Sequence, residues 1–165
     1  MRRFAFLAPL TAAVALAAAA AAHAQPSAVT VTLAPDFEPT AEDLGRTEVE
    51  AQMDRLVEIL TRALADDPDL AGARIELVLT DLRPNRPTAE QLRERPGLDP
   101  VRSISIGGAT IDGRIVTADG RELPVHYERY SNNLAEVRGV GVWHDADRAW
   151  RGLAANLEAG RYVQR

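Results

Sequence analysis

The 165 residues carry 19 arginines and no lysine against 24 acidic side chains, a formal net charge of −5, and no cysteine. An acidic surface repels a phosphate backbone or an anionic lipid layer, both of which call for clustered cations, so nucleic-acid binding and electrostatic membrane attachment are set aside. Without cysteine no disulfide can staple the domain and no lipid can be attached through a thiol, so packing alone must hold the fold.

The chain opens with Met1-Arg2-Arg3, then an alanine-dominated apolar run from Phe4 to Ala22, then Ala22-His23-Ala24. A positive start, an apolar stretch and a small-x-small site predict a cleavable export signal over residues 1–24. Pro9 and Thr11 interrupt the run, and so much alanine leaves it weakly hydrophobic for a retained anchor. Arg2-Arg3 stands without the rest of a twin-arginine motif, which favours the general secretory route. The expected product is periplasmic or secreted. Its basic residues number 17 against 24 acidic ones, a charge of −7, because only Arg2 and Arg3 are lost. The roughly 140 residues that remain, 25–165, suffice for one domain with a real core.

Val29-Thr30-Val31-Thr32-Leu33 alternates as a strand should and is stopped by Pro35. After an acidic turn, Val49, Met53, Leu56, Val57, Leu60 and Leu64 recur at three- and four-residue spacings and predict a helix from about Arg46 to Ala65. Asp66-Asp67-Pro68 ends it, and Ala73 to Thr80 reads as a second strand with Ile75, Leu77 and Leu79 on one face. Strand, helix, strand is a crossover unit that sets its two strands parallel. Asp81 to Pro100 reads as a long proline-rich loop, with Thr88 and Gln91 as a capping box for one helical turn. Val101 to Ile106 and Ala109 to Thr117 are expected strand segments separated by a bend at Gly107-Gly108. Asp119-Gly120 is expected as a two-residue hairpin turn into a strand from Arg121 to Tyr130. Ala146, Ala149, Trp150, Leu153 and Leu157 stripe a closing helix, with Asp145 as its N-cap and Gly160 as its stop. The expected class is α+β, a mixed sheet of about four strands with two helices packed on one face.

The closing Asp145-Ala146-Asp147-Arg148-Ala149-Trp150-Arg151-Gly152-Leu153-Ala154, together with Thr80-Asp81-Leu82-Arg83-Pro84-Asn85-Arg86-Pro87-Thr88 and Ser103-Ile104-Ser105-Ile106-Gly107-Gly108-Ala109, resembles small uncharacterised exported envelope proteins of proteobacteria. In topology the chain is similar to the amino-terminal domain of TolB. The resemblance spans most of the chain after residue 24. It implies an assembly or binding module and carries no established activity with it. Many such proteins are lipidated on a cysteine, which this chain lacks.

Reactive constellations are scarce. There is no Gly-x-Ser-x-Gly elbow, and Gly107-Gly108 precedes a strand where a phosphate cradle needs a helix. Eleven carboxylates and three arginines between Asp36 and Asp69 read as a solvated, self-repelling surface. His126, His144, Asp145 and Asp147 could be assembled into a metal site, but Asp145 and Asp147 are expected in a helix's first turn and His126 on the polar side of a hairpin. Arginines cluster only between Asp81 and Arg102, where Arg83, Arg86, Arg93, Arg95 and Arg102 with Asn85 could grip an anion, while Asp81, Glu90, Glu94 and Asp99 offer internal partners. Tyr130 and Trp143 are the aromatics left over for an exposed surface, since Tyr127 and Trp150 fall on core stripes.

The sequence therefore points to an exported, non-catalytic binding or assembly module of the cell envelope. It would recognise another envelope protein or its own copy through a sheet edge or open face, with no cofactor and no stable membrane insertion after cleavage. The alternative is a metal-assisted hydrolase or small anionic-ligand sensor using His126, His144, Asp145 and Asp147.

Overall fold

The computed structural model describes residues 25–163, so the expected export signal lies outside the described residues. β1 is Ala28–Leu33. Where the sequence predicts only an acidic turn, a short helix α1 forms over Glu38–Leu44, with proline in its first turn and Ala41 and Leu44 buried. Two buried residues are too few to raise a periodic signal. Gly45, at φ 93°, turns the chain directly into α2, Arg46–Ala63, which buries Val49, Leu56 and Leu60.

After a 3-10 turn at Pro68–Leu70, β2 runs Arg74–Arg83, three residues beyond the predicted end. A register shift between Leu79 and Asp81 inserts one extra residue. Side chains alternate with period two, so the shift returns Leu82 to the core face with Ile75, Leu77 and Leu79. Asp81 and Arg83 thus sit on a strand rather than in the loop.

α3, Ala89–Glu94, is opened by the expected capping box, in which Thr88 accepts from the Gln91 N–H and the Gln91 side chain accepts from the Thr88 N–H. Thr88 is fully buried. Thr88→Ala should cost about 1 kcal/mol in urea denaturation, the usual worth of such a cap, and an unchanged midpoint would count against that role.

Val101 to Ile106 does not form the predicted strand. The backbone N–H groups of Val101 and Arg102 both donate to Asp99 Oδ1 at 2.7 Å and that of Ser103 donates to the Asp99 carbonyl. Asp99 thereby captures in a turn the groups a ladder would need, and they hold its carboxyl below the ordinary value. The hairpin follows as β3, Gly108–Val116, and β4, Glu122–Tyr130. Its loop is three residues, not two: the Thr117 N–H donates to the Arg121 carbonyl (2.9 Å), leaving Ala118-Asp119-Gly120 as the turn with Gly120 at φ 85°.

α4 is His144–Glu158, capped by Trp143 rather than by Asp145, which lies inside the first turn and is buried. Gly160, at φ 67°, stops it, as Gly160 donates to Leu157 and Arg161 to Asn156.

The sheet order is β1-β2-β3-β4, with β1 parallel to β2 and both other pairs antiparallel. α2 packs on β1 and on α4, and α4 on β3 and β4, so the two long helices cover one face as expected. Leu56, Leu60, Ile75, Leu77, Leu79, Ile111, Ile115 and Leu153 are sealed between the layers, each contributing about 1.5–3 kcal/mol. Trp150 is fully buried there too, and its Nε1 has no hydrogen-bond partner among the described residues. No described helix is long and apolar enough to cross a membrane.

Candidate functional site

The segment leaving β2, the end of α3 and the irregular stretch before β3 enclose a cleft of about 360 Å³. Three of the predicted arginines line it. Arg83, the last residue of β2, sits 2.7 Å by its Nε from Asp81 Oδ2 and lies 4.9 Å above the Tyr130 ring centroid. Arg86 donates its Nε to the Val140 carbonyl (2.6 Å) and its Nη1 to the Val101 and Pro100 carbonyls, stapling three loops. Arg95 pairs through Nη2 with Asp43 of α1. The floor is apolar, from Leu98, Ile104 and Ile106. Sequence reasoning missed these three; the Ser-Ile-Ser-Ile alternation was visible, but it read as a strand.

The other predicted site residues lie elsewhere. Arg93 is exposed and pairs with Glu90 within α3. Arg102 is exposed outside the cleft, its backbone held by Asp99. Trp143 is half-buried against the core and donates Nε1 to Glu48 Oε2 (3.2 Å), so it is no open stacking platform. Tyr130 is half-buried on the open sheet face, donating its hydroxyl to Asp81 Oδ2 (2.6 Å) beside Thr110 Oγ1 (2.7 Å). Burial first, and the bond to Asp81 second, push its pKa above the ordinary tyrosine value.

Asn85 is not available to a ligand either. It is fully buried and donates Nδ2 to Asp145 Oδ2 at 2.6 Å and to the Ser105 carbonyl at 3.4 Å, while its Oδ1 accepts from the Asp145 N–H at 2.9 Å. Ser131 Oγ donates to the same Asp145 oxygen (2.6 Å), and Arg148 approaches the other (3.3 Å). Burial disfavours the Asp145 charge, but the bonds from Ser131 and Asn85 and the nearby Arg148 and His144 outweigh it and hold the carboxyl below its ordinary value. This network ties the β2 exit, the β3 approach and the β4 exit to the start of α4, and so fixes the cleft walls. A Cβ on Gly107 would come within 2.6–2.8 Å of the Asn85 amide, so that glycine makes room for the network.

The four residues of the alternative metal site do not assemble. His126 Nδ1 meets Asp112 Oδ1 at 2.6 Å on the open face, whereas α4, with His144, Asp145 and Asp147, packs against the opposite face of β3 and β4. Asp147 pairs with Arg151 (2.5 Å) and Arg55 (3.5 Å). Among the described residues no group of three or more His, Cys, Asp or Glu side chains is placed to hold a metal ion.

The two sheet edges are treated differently. Along β4 the returning carboxyl-terminal segment meets the edge at His126, whose N–H donates to the Tyr162 carbonyl (3.0 Å) and which Val163 bridges. β1 has β2 on one side and, among the described residues, no strand on the other. Its six residues, Ala-Val-Thr-Val-Thr-Leu, include neither a charge nor a proline.

No known family model matches the chain, and no curated protein is similar to it.

Proposed function

We propose that this chain is an exported, non-catalytic binding or assembly module of the cell envelope, and that it adds a strand of a protein partner along the free edge of β1. The single observation that carries the reading is the contrast between the edges. Unpaired strand edges offer rows of N–H and C=O groups to any neighbour, and proteins guard them with charge, proline, a bulge or a covering segment. The β4 edge is bridged at His126 and its strand carries Pro124 and the charges of Glu122, Glu128 and Arg129. β1 runs for six residues in even register with β2 and has none of these guards within it. Added strands gain affinity from main-chain hydrogen bonds and specificity from alternate side chains. Here those would be Val29, Val31 and Leu33 toward the helices and Thr30 and Thr32 toward the open face. The expected compartment, periplasm or medium, supplies envelope proteins or a second copy as partners.

Thr30→Lys tests it by placing a charge on the edge at an exposed position. The wild-type protein should sediment as a dimer or recover a stoichiometric protein from envelope extract, and the variant should do neither while melting within about 2 °C of wild type. A wild-type monomer that recovers nothing above background, or a variant that associates as well as wild type, sinks the reading.

A further inference from the structure

The cleft between the β2 exit and the β3 approach has a chemistry of its own, independent of any strand added at β1. Of its eleven described lining residues three are arginine and none is aspartate or glutamate, in a chain whose acidic side chains outnumber its basic ones by 24 to 19. We propose that it binds a monoanionic carboxylate carried on an apolar group.

Arg83 and Arg95 are each anchored through one nitrogen and Arg86 through two, leaving other donors of each fork uncommitted. Arg83 is held at Nε by Asp81, and Arg95 at Nη2 by Asp43. Arg86 is held at Nε and Nη1 by backbone carbonyls, which neutralise none of its charge. A guanidinium has five N–H donors in a rigid plane, so a group fixed by one edge presents the rest in set directions, and less side-chain entropy is lost when an oxyanion arrives. The fork matches carboxylate and phosphate alike. Charge decides between them: Asp81 and Asp43 are ion-paired to two of the three cations, so the cluster keeps about one net positive charge, which a monoanion neutralises and a dianion exceeds in a chain that is negative overall.

The rest of the lining fixes the tail. Leu98, Ile104 and Ile106 with Pro84 and Pro87 give an apolar wall, and Ile106 keeps more than a third of its surface in water. Covering that surface rewards a hydrocarbon group next to the charge. The volume, about 360 Å³, lies at the small end of ligand sites. The same chemistry comes from two sources, a free medium-chain acid or the carboxyl terminus of a chain ending in an apolar residue.

Titration of the purified protein with octanoate at low salt, followed by amide chemical shifts, tests the proposal. Saturable binding with a Kd on the order of 0.1–1 mM is expected, with shifts at Ser103, Ile104 and Ile106, and none with octylamine, acetate or inorganic phosphate. An N-acetylated tripeptide ending in leucine should bind as the free acid and not as the amide, and the tighter of acid and peptide names the source. Arg95→Gln and Ile104→Ser, each checked for an intact fold by its amide spectrum, should each weaken the better ligand about tenfold. Absence of saturation by either probe up to about 5 mM, equal binding of octylamine, or unchanged affinity in both variants would overturn it.

Discussion

Asp145→Ala should lower the stability of the protein by about 2–4 kcal/mol in urea denaturation, although the residue does not line the cleft. Its carboxylate is almost inaccessible and Oδ2 alone receives two donors, Asn85 Nδ2 and Ser131 Oγ, each at 2.6 Å. Truncation leaves a fully buried amide and a buried hydroxyl without their acceptor, and each orphaned group costs about 1–3 kcal/mol. Asp145→Asn is the informative companion because it keeps the shape and removes the charge. With the folded carboxyl held below its ordinary value, the unfolded chain takes up its proton first as pH falls. The stabilisation is therefore complete above the unfolded pKa of about 4 and is lost as pH drops through the folded value. The asparagine variant titrates no proton there, so its stability should fall less steeply below about pH 4 than that of wild type. Parallel acid limbs in the two proteins would show that Asp145 carries no such linkage.

Gly152→Ala should destabilise by about 1–3 kcal/mol, opposite in sign to the gain of nearly 1 kcal/mol that the same change gives in an ordinary helix interior. Gly152 lies mid-way along α4, and a Cβ there would overlap the Tyr127 hydroxyl oxygen and come within 3.0 Å of its Cζ. Tyr127 is a buried residue of the helix-covered sheet face, so its ring has little room to tilt away. In a Tyr127→Phe background the overlapping oxygen is gone, and the alanine should cost markedly less, giving a coupling energy of about 1 kcal/mol or more. If the two substitutions prove additive, α4 does not rest on the Tyr127 tip in this way.

Both effects bear on the cleft and on the sheet edge through the same frame. Asp145 holds the segments that form the cleft walls, and the Tyr127–Gly152 contact sets how closely α4 approaches β4. A destabilised frame should reach ligand or partner binding indirectly. The direct variants proposed for the two sites, at Thr30, Arg95 and Ile104, lie outside it.

Local patterning determined the class of fold. The stripe from Val49 to Leu64, the alternation Ile75-Leu77-Leu79, the capping box at Thr88 and Gln91 and the stripe ending at Leu157 each place a side chain on a face by counting alone, and each element formed where counting put it. Counting also put arginines around the proline-rich segment, and three of the five line a cleft there. What neighbours in space decide was illegible. The extra residue after Leu79 is defined only against its partner strand, so the end of β2 and the sides taken by Asp81 and Arg83 followed from pairing with β3. Ser103 to Ile106 alternates like a strand, but Asp99 and Asn85 claimed the backbone groups a ladder requires. Asn85 and Asp145 are 60 positions apart. A polar residue that reads as a ligand or a cap in sequence became a buried network only because the fold brought it a complementary partner and removed the water. Strand order was set in the same way, since a hairpin can join either edge of a crossover unit. Here β3 took its place beside β2, enclosing the fully apolar face of Ile75, Leu77 and Leu79 between two neighbours and leaving the more exposed β1 at the edge.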